Sequence, residues 1–245
     1  MRNKKFLLKI FFISLILFAF LLKPSSFAVA QAYEIPPDLL KELKENRLEV
    51  EKSPTSARAH FEMAMSYAYT GLVELGLKSL EQVEKEDPFY ADKVIEEYEN
   101  KSKKEPNEWK HKFKLAFGYY FKKQRAAAKI CFQEILQKHP KHIWAMGYLA
   151  LLEGEQALTE KEHLQKQGLA PHKISEKINP KYQKIIDMCN QALEIEPNAT
   201  AIRFLLGQAY FNRGNITDYF GVMVESLNVL RLREEDNKFL EEHGL

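Results

Sequence analysis

Cysteine is almost missing from this chain, with two residues, Cys131 and Cys189, in 245. A disulfide framework is thereby excluded, although a single Cys131–Cys189 bridge stays open; both thiols fall within helical apolar periodicity, where Cys is a common small core residue. Glycine and proline number ten each, and no alternating Val/Ile/Thr run is bounded by turn clusters, which removes support for a strand-rich fold. The chain also lacks a glycine-rich phosphate loop, a GxSxG elbow and an HExxH pair. Its seven histidines are scattered, and the closest pair, His139 and His142, straddles a predicted corner with no third ligand suggested nearby. Acidic residues are plentiful, yet they spread over solvated helix faces and define no catalytic pair. No catalytic activity, cofactor or metal is expected.

What is there is ordinary globular material, 45% hydrophobic and 29% charged, with helical rather than strand periodicity. The N-terminus stands apart. Arg2, Lys4, Lys5 and Lys9 precede the apolar run "FFISLILFAFLL", and "SSFAVAQA" follows, which is the order of a signal peptide with cleavage after Ala30 or Ala32. An uncleaved membrane anchor is the rival reading. Neither cysteine lies just after the apolar run, which argues against an N-terminal lipid anchor. Residues 1–32 hold five basic and no acidic side chains, so their removal takes Lys+Arg from 36 to 31 against 34 Asp+Glu. The formal charge of +2 thus becomes about −3, and the basic balance gives no support for nucleic-acid binding.

An internal repeat decides the architecture. In "HFEMAMSYAYTG", "KFKLAFGYYFKK" and "RFLLGQAYFNRG" an apolar residue, a small one and a Tyr three positions later recur, as Met63-Ala64-Tyr67, Leu115-Ala116-Tyr119 and Leu206-Gly207-Tyr210. Counting from the small residue, Gly76, Leu80, Val83 and Pro88 stand at the same four offsets as Ala128, Phe132, Ile135 and Pro140. This pattern resembles the tetratricopeptide repeat, a helix-turn-helix unit with small residues where its helices cross and Pro closing the second helix. The resemblance implies an all-α, right-handed helical-hairpin solenoid of about four repeats.

Two spacings exceed the repeat. Between Ala64 and Ala116 the surplus fits one extra helix, "FYADKVIEEYENKSKK". Between Ala116 and Gly207 it fits a segment inserted in the third repeat at about 155–180, bounded by "WAMGYLALLEG" and "YQKIIDMCNQALEIEPN". The expected layout is a signal or anchor at 1–32, an N-terminal capping helix at 33–55, the repeat domain at 56–232, and a charged tail at 233–245. Thr217 to Leu232 and that tail are a candidate C-terminal cap, because the fourth repeat departs from the pattern after Asn215.

In proteins of the family it resembles, the first helix of each pair lines a concave groove that takes extended peptides or partner helices. The matching positions here are Phe61, Met65 and Tyr69, then Phe113, Phe117, Tyr120 and Phe121, then Phe204 and Phe211, with Gln208 and Asn212 beside them. An aromatic groove is expected. The competing reading is that the extra helix, the insertion or the tail fills it as ordinary core. Phe61, Phe113 and Phe204 stand where a chaperone-binding clamp of the family would want Lys or Asn, so that recognition mode is disfavoured. The resemblance therefore implies a scaffold for a protein or peptide partner, and the N-terminal signal pattern places it outside the cytoplasm: periplasmic, extracellular or anchored at an inner membrane through residues 1–32. The alternative is a small-ligand or lipid-binding solenoid lidded by the insertion.

Overall fold

The computed structural model describes residues 35–225, all of whose regular structure is α-helical. The expected signal segment, the last residues of the expected repeat domain at 226–232 and the expected tail at 233–245 lie outside the described residues. Among the described residues ten helices follow one another: α1 (Pro37–Lys52), α2 (Ala57–Tyr69), α3 (Val73–Glu86), α4 (Tyr90–Lys104), α5 (Trp109–Phe121), α6 (Arg125–Lys138), α7 (Ile143–Lys166), α8 (Pro171–Ile195), α9 (Thr200–Arg213) and α10 (Ile216–Glu225). They form a helical-hairpin solenoid with hairpins α2/α3, α5/α6, α7/α8 and α9/α10. Helix α1 packs on α2, and the extra helix α4 packs on α5.

Local chemistry sets the boundaries. Pro37 and Pro171 occupy the first turns of α1 and α8, where a missing N–H costs nothing. Ser56 caps α2 by accepting from the Ala59 N–H at 3.2 Å, and the His142 Nδ1 accepts from Ala145 N–H at 3.1 Å at the start of α7. Gly214 ends α9 at φ 87, the left-handed conformation that favours glycine.

The repeat's small residues lie at the helix crossings. Ala64, Ala116 and Ala128 are fully buried, and a methyl group added to Gly76 would sit 3.5 Å from the Ala64 carbonyl oxygen. Gly71 is tighter still. With φ 75 it turns α2 into α3, and a Cβ there would lie 2.1 Å from the ring of Trp144 on α7. The corner of the first hairpin is thus clamped on the first helix of the third.

The segment expected as an insertion is continuous with its flanks. Helices α7 and α8 run 24 and 25 residues, against 13 and 14 for α5 and α6, and residues 155–180 are their far ends joined at Gly168. The extension has its own apolar seam of Ala157, Leu164, Ile174 and Ile178, each at most 7% exposed. Pro180 sits inside α8. It removes one intrahelical N–H, yet the buried stripe Ile174, Ile178, Tyr182 and Ile185 carries the helix through.

Both cysteines are free and buried, Cys131 on α6 and Cys189 on α8. Burial pushes each thiol up to about 12, which leaves them unreactive at neutral pH.

Candidate functional site

The aromatic face expected to be open is closed over its first two hairpins. Phe61, Met65, Tyr69, Phe113 and Phe117 are all buried, with Phe113 and Met65 at 0% exposure. The physical reason is that neighbouring elements fold onto this face. Tyr90, at the start of the extra helix, lies 5.7 Å from Phe61 between ring centres. Tyr69 meets Trp109 at 5.0 Å and Phe113 at 4.9 Å, both edge-on. Phe113 also touches Phe132 of α6, His142 and Tyr148 of α7. Burying one such ring contributes about 1.5–3 kcal/mol, and edge-to-face contacts add to it. These five residues are core, and their placement in a partner-binding set is corrected accordingly.

Polar side chains lock that region from α1 to α5. Glu62 accepts from Tyr98 Oη at 2.6 Å and pairs with Lys114, while Glu42 pairs with Lys110 and Asn46 donates to Ser66 at 2.8 Å. Burial, together with the charge of Glu62 and the hydrogen bond to it, pushes the Tyr98 phenol far above its ordinary range, so it stays a donor.

The remaining predicted residues reach the surface. Tyr120 is half-buried, Phe121 and Phe204 are 36% and 37% exposed, and Phe211 is 56% exposed. Near them, between α7, α8 and α9, a cavity of about 250 Å³ opens to solvent. Leu151 and Leu158 of α7 and Leu205 of α9 line it, Tyr182 and Ile185 of α8 contribute, and Glu155, Gln208 and Asn212 add polar groups. Gln208 and Asn212 are four residues apart, which places both amides on one face of α9. From the extended segment the lining takes only Glu155 and Leu158, so that segment forms a wall of the groove and does not cover it.

Glu155 is fixed in place. It accepts from Tyr120 Oη at 2.7 Å and Arg125 Nε at 2.8 Å, and the Arg125 guanidinium lies 3.8 Å over the Tyr120 ring. Burial and the adjacent carboxylate push the Tyr120 phenol up to about 12, so this donor persists at neutral pH. Two residues back, Glu153 sits between Lys129 and Lys184, each at 3.0 Å. Burial works against its charge, but the two lysine hydrogen bonds hold its carboxyl below the usual range. The groove therefore offers an apolar strip, two free-standing amides and a neutralised carboxylate. Among the described residues, no group of three His, Cys, Asp or Glu could hold a metal.

Sequence reasoning missed Leu151, Leu158 and Leu205. The available signal was the spacing of seven between Leu151 and Leu158, which continues one helical stripe past Gly154.

The geometry is that of a helical-hairpin repeat fold. Residues 112–142, which cover most of α5, all of α6 and the following corner, match the family model described as "Tetratricopeptide repeat". Among solved structures, a monomeric mutant of IFIT1 with Gppp-AAAA is 16% identical and has a TM-score of 0.50; the match covers 84% of this chain and 52% of that one. That likeness is one of fold, and the chain spans about half of IFIT1's length. A crystal structure of MamA is 14% identical with a TM-score of 0.37, covering 82% of this chain and 92% of its own. No curated protein matches the sequence.

Proposed function

We propose that this protein is an exported, non-enzymatic scaffold that holds a segment of a partner protein in the groove between α7, α8 and α9. The observation that carries the reading is the groove's composition: Leu151, Leu158 and Leu205 give apolar contact, while Gln208 and Asn212 present amides able to pair with a peptide backbone. The solenoid supplies rigidity, because the Glu155–Tyr120–Arg125 cluster ties the groove wall to the second hairpin. Export rests on residues 1–32, whose charge and apolar pattern is that of a signal. The partner is accordingly sought in the periplasm, outside the cell, or at the outer face of an inner membrane if the segment is not cut.

A photo-crosslinking residue placed at Leu158 in cells, followed by mass spectrometry, is expected to yield one dominant adduct. Gln208→Ala with Asn212→Ala should reduce that adduct about tenfold without changing the helical circular dichroism. Adducts to lipid or to a small molecule, insensitive to the two amides, would replace this reading with that of a small-ligand carrier.

A further inference from the structure

Among the described residues, a buried hydroxyl outside the groove lacks a hydrogen-bond partner. Ser102, in the last turn of the extra helix α4, is 6% exposed, and its Oγ makes no hydrogen bond. Hydroxyls on helices ordinarily donate back to the carbonyl four residues earlier, as Thr70 does to Ser66 at 3.0 Å and Thr159 to Glu155 at 2.9 Å. Ser102 does not, and a buried hydroxyl left unpaired costs free energy that an incoming acceptor returns. The same residue lines a cavity of about 120 Å³, open to solvent on one side, which forms where α4 and α6 end and α5 begins. A serine side chain has a single bond beyond Cβ, so its Oγ stays close to any cavity the side chain lines. Helix α5 packs against both α4 and α6, and the cavity is therefore a product of the extra helix.

We propose that this cavity binds a small monocarboxylate, either a free short-chain acid or the terminal carboxylate of a peptide. Two cations are held at it. Lys112 lies 2.7 Å from Glu134, and Lys138 donates to the Pro106 carbonyl oxygen and to Asn107 Oδ1 at 3.3 Å. Each ammonium carries three N–H groups, and these contacts leave N–H groups to spare on both. The Ser102 hydroxyl and those spare groups donate to the carboxylate, while a short alkyl group rests on Trp109 and Ile135 of the same lining. Two lysines against one carboxylate leave the lining a formal charge of +1, which suits a ligand with one negative charge; a dianion would set its second charge against Glu134. Lysines in the last turns of α4 and α6 offset the negative ends of those helices, and α5 begins here with its positive end. Size agrees with this class, because the volume is that of roughly four waters at about 30 Å³ each, enough for an acid of about three carbons. The cavity shares no lining residue with the groove between α7, α8 and α9, so the two sites stand or fall separately.

The test is saturation-transfer NMR on the native protein, titrated with sodium propionate and separately with N-acetylalanine, which carries a peptide's terminal carboxylate. Saturable binding with a Kd of about 1 mM or tighter is expected for at least one of them, with propionamide binding and inorganic phosphate competing at least about tenfold more weakly. Binding of propionate makes a free acid the ligand, and binding of N-acetylalanine alone makes it a peptide end. Ser102→Ala should weaken binding about tenfold yet leave the melting temperature of the free protein unchanged or raised, because it removes an unpaired buried hydroxyl; a merely structural serine would lower the melting temperature and leave the affinity alone. Lys138→Gln, at an exposed side chain, should weaken binding about threefold and decides the matter if Ser102→Ala fails to fold. The proposal is overturned by absence of saturable binding for both acids, by propionamide or phosphate binding as tightly as the acids, or by an affinity that Ser102→Ala leaves unchanged.

Discussion

Truncating Phe113 to alanine separates core from groove most sharply. The ring is fully buried and is in contact with Tyr69, Trp109, Phe117, Phe132, His142 and Tyr148. Neighbours drawn from four elements cannot all collapse into the space left behind, so the cost belongs at the upper part of the range for buried Phe→Ala, about 3–5 kcal/mol. A domain of this size has about 5–15 kcal/mol in total. At about 2–4 °C per kcal/mol, melting should fall by roughly 10–15 °C. With a denaturant slope near 2 kcal/mol per molar, the urea midpoint should drop by about 2 M. Phe89→Ala is the control, since that ring is 73% exposed and its loss should stay within about 0.5 kcal/mol. The assay is thermal and urea unfolding followed by circular dichroism at 222 nm. A Phe113→Ala protein that melts within about 2 °C of the wild type would refute the burial argument and return Phe113 to an open binding face.

Three further outcomes are expected. Burial lowers the His142 imidazole from 6.5 to about 4, so between those values the unfolded chain binds the extra proton and stability falls as pH falls, by up to about 3 kcal/mol near pH 4; His142→Asn should flatten that slope in unfolding measured across the window. Gly71→Ala combines a left-handed backbone with a clash on Trp144 and should cost about 2–4 kcal/mol, of which Trp144→Ala in the same chain recovers the clash but not the backbone share, as a double-mutant cycle of melting curves would reveal. Mass spectrometry of the native protein should find a mature start at Gln31 or Tyr33; an intact residue 1 with carbonate-resistant membrane association would establish the anchor, and an intact soluble cytosolic chain would reject export.

The hairpins were legible because small residues at crossings and Pro or Gly at corners are local requirements. Ala64, Ala116 and Gly207 mark helices that exist for reasons present in their own neighbourhoods. The extra helix was legible from a length surplus alone. What the repeat pattern could not convey was the occupancy of the inner face. Phe61 and Phe113 stand at equivalent repeat positions with Phe204, yet two are core and one is partly exposed. The difference is set by what packs on them, Tyr90 in one case and Tyr148 with Tyr69 in the other, and such contacts leave no periodic trace. The extension of α7 and α8 was obscured in the same way. Pro180 reads as a stop, and only the seam of Ala157, Leu164, Ile174 and Ile178 tells that the two helices run on together.

A solenoid normally behaves like a stack of coins, in which each unit feels only those above and below and the stack can loosen from either end. The contact of Gly71 with Trp144 changes that mechanical character, because it ties units one and three across the second. Opening the second hairpin then requires breaking the first and third as well, so these three should melt, exchange and resist pulling as one block. Loosening is left to the other end, at α9 and α10, beside the groove. If the groove takes a partner segment as proposed, two of its three walls, α7 and α8, belong to that block.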